Sequence, residues 1–200
     1  MTPSEELAAQ TIGLCPQRLV AFAGAVCIRA REVFGLCRGA TPMSTFNRSL
    51  ERVWDDLRCG DFADIDAIFG SLAGVPESFS NDTLSPEWIA WMALATFESV
   101  SKLPTSRLPI QTIAQCSALG LTIFSELDMR IGWTGPSKSG ELASAEWEAQ
   151  LRCLAILRED PLSVEIPLER LAAAGDNVSA LLALHSTEIA TGPGCEPPAS

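Results

Sequence analysis

Apolar residues recur along this chain with the 3.6-residue period of helices, and no segment shows the strict alternation of a strand. The cleanest stripe is Phe46, Leu50, Val53, Trp54 and Leu57, with Arg48, Arg52, Asp55 and Asp56 opposite. Thr41-Pro42 supplies its start, a cap followed by a first-turn proline, and Cys59-Gly60 its end. Pro16 suits the first position of an earlier helix that runs through Leu19 to Phe34 with few charges. There Arg18, Ala25, Arg29 and Glu32 fall on one narrow side and the rest is apolar, which predicts a central helix, with Gly39 as its stop.

Further along, Asp61 caps a shorter helix with Phe62, Ile65, Ile68, Phe69 and Leu72 inward. Ser85-Pro86-Glu87 opens another, whose inner face is Trp88, Ile89, Met92, Ala93, Thr96, Phe97 and Val100, with Glu98 and Lys102 outside. After Pro104 and Pro109, a helix over 110–130 turns Ile113, Cys116, Gly120, Ile123, Phe124 and Leu127 inward. A helix over 141–159 puts Trp147, Leu151 and Leu154 on its inner face, and Pro161 stops it. Two short helices, 168–174 and 178–184, hinge at Gly175-Asp176-Asn177. The expected fold is all-α: a single domain over 1–184, a helical bundle or orthogonal array of about seven to nine helices. Residues 185–200 read as a disordered tail rich in Pro and Gly.

With 200 residues, 47% of them hydrophobic, the chain can bury a core without a disulfide or metal staple. The net charge of −11 argues against nucleic acid and against an anionic membrane as partners. That charge is unevenly spread: residues 1–58 carry seven Arg against six acids, so the remaining 142 residues carry −12. An acid excess of this kind serves solubility, or it forms a docking face for a basic protein. Leu19–Ile28 and Trp88–Phe97 are too short to span a bilayer, and polar residues interrupt Leu108–Ser125. Glu5 and Glu6 stand where a secretory signal would be basic. Together with seven scattered cysteines and no Cys-x-x-Cys, this predicts a cytoplasmic protein with free thiols.

Candidate chemistry is sparse. The one histidine, His185, sits at the edge of the expected tail, which leaves no base for a His-dependent triad in the body. The cysteine spacing fits no zinc site, and the single histidine fits no carboxylate di-iron bundle. Asp61-x-x-Asp64-x-Asp66 lacks the glycine and terminal Glu of a calcium loop and reads as a helix start. No glycine-rich phosphate loop is present, so no cofactor or metal is expected. Four of the five tryptophans fall at core spacing, whereas Trp91 lies near Glu87, Leu94 and Glu98 on an outer strip that could anchor a partner.

Cys27-Ile-Arg29, Phe46-x-Arg48-x-Leu50-x-x-x-Trp54-Asp-x-Leu57, Glu146-Trp147-x-x-Gln150 and Leu168-Glu-Arg-Leu…Gly175-Asp-Asn177 occur in that order. In these segments the chain resembles the YjaG-like family, a bacterial group of uncharacterised small helical proteins. The resemblance covers roughly Leu19 to Leu182 and implies an all-α cytoplasmic fold. It brings no activity, so no catalytic residue is carried over. The absence of Tyr and the Pro-rich tail depart from the family.

The sequence therefore favours a non-enzymatic interaction protein, for example an acidic immunity-type or antitoxin-type binder of a basic effector, with Asp64, Asp66 and Trp91 as contact residues. The alternatives are a small-molecule binder or enzyme with an Arg/Asp/Glu pocket between helices, for which Arg29 and Arg48 are candidates, and a structural subunit of a larger assembly. One expectation is directly measurable. Protein made under reducing conditions should titrate seven free thiols after denaturation, and a lower count would reveal a disulfide or a modified cysteine.

Overall fold

In the computed structural model the described residues are 2–38, 40–59, 86–103, 106–134, 140–159 and 165–191. They form α-helices, and no strand occurs among them. The helices are α1 (Pro3–Gln10), α2 (Pro16–Arg38), α3 (Ala40–Cys59), α4 (Pro86–Lys102) and α5 (Pro109–Thr134), followed by α6 (Glu141–Glu159), α7 (Leu168–Ala173), α8 (Asp176–Leu184) and α9 (Ser186–Thr191). None is long and apolar enough to cross a membrane. The expected helix at 61–72, with Asp64 and Asp66, lies outside the described residues, as do Gly39 and the side chains of Phe46, Leu57, Cys59 and Trp133.

Helix α2 is the axis of the fold. It packs most extensively on α4 and also touches α3 and α5 through α9. Its low charge makes this possible: Val20 through Cys27, Ala30, Val33 and Phe34 are all buried. Beside it, α4 buries Ile89, Met92, Ala93, Thr96, Phe97 and Val100, as its stripe predicts, while Trp88 is half-buried. Outside, Lys102 pairs with Glu98 one turn earlier. Helix α5 buries its expected face and packs on α4, α6, α1, α2 and α9.

Three features differ from the sequence expectations. Helix α1 was not anticipated: Thr2 and Glu5 form a reciprocal capping box around Pro3, and Leu7 and Ala8 bury against α5. Ser186–Thr191, expected to be part of a disordered tail, fold as α9, and Ile189, only 2% exposed, anchors that helix where it meets α5 and α2; residues 192–200 lie outside the described residues. The inner face of α6 is also rotated. Leu154 is buried, but Trp147 is half-buried and Leu151 is exposed, whereas the polar residues Glu146 and Gln150 are fully buried. The apolar stripe misled because a polar partner on α2 supplies the reason for burial.

Helix α3 meets α2 through Trp54, whose ring lies over Gly24; a Cβ at position 24 would come 2.8 Å from Trp54 Cζ3. Leu50 and Val53 are buried on the same stripe. Because the Trp54 ring is half-buried, Trp54→Ala should cost about 2–4 kcal/mol in chemical denaturation, toward the lower part of the range for buried aromatics. A loss under about 1 kcal/mol would show that the ring contributes no more than a surface residue.

Candidate functional site

The most concentrated chemistry lies along the seam between α2 and α6. Arg29 is 2% exposed and Glu146 fully buried. Arg29 Nε donates to Glu146 Oε2 at 2.5 Å and Nη2 donates to Oε1 at 2.8 Å, a bidentate pair. Arg29 Nη1 donates to the Ala25 carbonyl at 2.8 Å and approaches Cys153 Sγ at 3.8 Å. Gln150 Nε2 donates to Glu146 Oε1 at 2.8 Å, while Gln150 Oε1 accepts from Ser117 Oγ at 2.6 Å, which carries the network across to α5. Burial alone would lower the Arg29 pKa, but the charge and hydrogen bonds of Glu146 outweigh it and hold the guanidinium above its ordinary value.

Two further contacts fix α6 at its ends. Asp128 on α5 accepts from the Leu142 and Ala143 amides at 3.1 and 2.9 Å, filling orphan donors of the first turn. Arg18 on α2, 2% exposed, donates to the Leu157 carbonyl in the last turn. Each charge has the sign that complements the helix dipole at its end. The polar side of α2 noted in the sequence is therefore a seam with α6 and the helices after it, not a solvent face. Glu32 extends it by accepting from Ser179 Oγ on α8 at 3.0 Å.

The network is closed by close packing. A Cβ at Gly120 would lie 2.8 Å from Val26 Cγ1 and 3.2 Å from Glu146 Oε1. One at Gly175, in the turn before α8, would lie 2.7 Å from Arg29 Cδ. Segments far apart in the sequence thus converge here through Arg29, Glu146 with Gln150, and Gly175. The segment with Trp54 meets α2 at Gly24.

The other candidate residues are dispersed. Arg48 is exposed on α3, whereas the guanidinium of Arg29 is buried against α6. Trp91 is half-buried and stacks on Trp88, with ring centroids 5.3 Å apart and planes at 26°. Asp64 and Asp66 lie outside the described residues. Reasoning from hydrophobic period missed Glu146, Gln150, Ser117 and Asp128. The available signal was a Glu and a Gln one turn apart on a helix facing an arginine-bearing central helix.

An open cleft of about 500 Å³ lies between α6 and α8. Glu141, Glu148, Ser144 and Asn177 supply polar lining, and Ala145 and Leu181 supply apolar lining. Glu141 is exposed, and Glu148, 66% exposed, is held only loosely by Arg152 at 3.7 Å. Among the described residues, no group of three or more His, Cys, Asp or Glu is placed to hold a metal ion.

Burial pushes the Cys27 thiol up to about 12, against weaker opposing effects of Thr96 and Arg31, and it also raises Cys116 and Cys153. In the unfolded chain these thiols ionise from about pH 9, while the folded chain retains their protons. Above that pH the unfolded state binds fewer protons, so stability falls as pH rises through the window up to about 12. With no Tyr in the chain, the decline between pH 9 and 10 is dominated by thiols, and Cys27 alone should contribute about 1 kcal/mol over that interval. Urea midpoints that stay flat over that interval would overturn this assignment.

The ion pair makes a second prediction. Glu146→Leu strands a buried guanidinium and should cost about 3–5 kcal/mol, and Arg29→Met should cost a similar amount by stranding the carboxylate. The double variant should lose less than the sum by at least about 1 kcal/mol in urea unfolding. Strictly additive losses would show that the two groups do not act as a pair. No protein-family model, curated protein or solved structure matches the chain.

Proposed function

We propose that the chain is a non-enzymatic protein-interaction domain whose acidic helical surface docks a basic protein, as an immunity-type or antitoxin-type inhibitor docks its effector. The observation that carries this reading is the cleft between α6 and α8. Its carboxylates, Glu141 and Glu148, stand beside the apolar Ala145 and Leu181. A lysine or arginine side chain suits such a surface, because its stem packs on carbon while its head reaches a carboxylate. The −12 balance after residue 58 supplies long-range attraction. Trp91, half-buried beside Trp88, offers an aromatic contact of the type that anchors interfaces.

This reading is favoured over a ligand pocket built on Arg29 because that guanidinium is already engaged by Glu146, the Ala25 carbonyl and Cys153. A cytoplasmic location accords with it, and the YjaG-like resemblance adds no activity to it.

The test is binding kinetics with the partner captured from the native host. Salt shortens the Debye length from about 10 Å at 0.1 M to about 3 Å at 1 M, so association should slow steeply while dissociation changes less. Glu141→Gln/Glu148→Gln should slow association at low salt without unfolding the domain, and Asp64→Asn/Asp66→Asn should act in the same direction. An acidic partner, or an association rate indifferent to both salt and substitution, would overturn electrostatic docking.

A further inference from the structure

We draw no further inference here: the strongest candidate, the apolar groove of about 340 Å³ between α2 and α8–α9 lined by Leu36, Leu182 and Ala183, is an unpartnered face and nothing in the structure shows what covers it.

Discussion

The bidentate contact between Arg29 and Glu146 sets the register of the molecule. Arg18 and Arg29 are eleven residues apart on α2, and the groups that receive them, Leu157 and Glu146, are eleven apart on α6 in the reverse order. The two helices therefore run antiparallel with matched spacing over about 16 Å. A slip of one residue would turn each side chain by about 100° and break both contacts together. Apolar packing tolerates such slips far better than a forked hydrogen bond does, since hydrophobic contact has no direction. The buried charges thus select one arrangement among several that would bury similar carbon.

The glycines follow from that choice. A bulky side chain at 120 or 175 would occupy the space taken by Glu146, Val26 or the Arg29 stem. Ser117 and Gln150 then satisfy one another, so the polar atoms of the seam meet inside the protein rather than at a solvent channel. Asp128 and Arg18 hold the two ends of the same helix, and α6 is consequently fastened at its start, middle and finish by three different side chains.

Much of the helical layout was legible in the sequence. The α2, α4 and α5 stripes named most of the residues that are buried there, because on those helices burial follows carbon content. The reading failed where another force governed. On α6 the buried side is set by Arg29, so Leu151 faces water while Gln150 does not. Helix α1 is short and weakly amphipathic, and its signal lay in Thr2, Pro3 and Glu5 rather than in periodicity. Helix α9 was hidden by the composition of the residues after it, although Ile189 and Ser186 are compatible with a helix. The candidate site was less legible than the fold. Pairing between residues 117 positions apart leaves no local trace, and the cleft between α6 and α8 exists only once the turn at Gly175 brings the helices together.

That separation has a consequence for biosynthesis. Helix α2 leaves the ribosome before α6, apolar on nearly every side and carrying two arginines whose acceptors are on α6. At about 5–20 residues per second, the 117 residues from Arg29 to Glu146 take roughly 6–23 s to make. Throughout that interval the nascent chain carries this apolar axis without the helix that fixes its register. Until α6 is made, α2 can bury its apolar surface only on the helices synthesised before it, chiefly α4, which makes the most extensive contact with it in the folded chain.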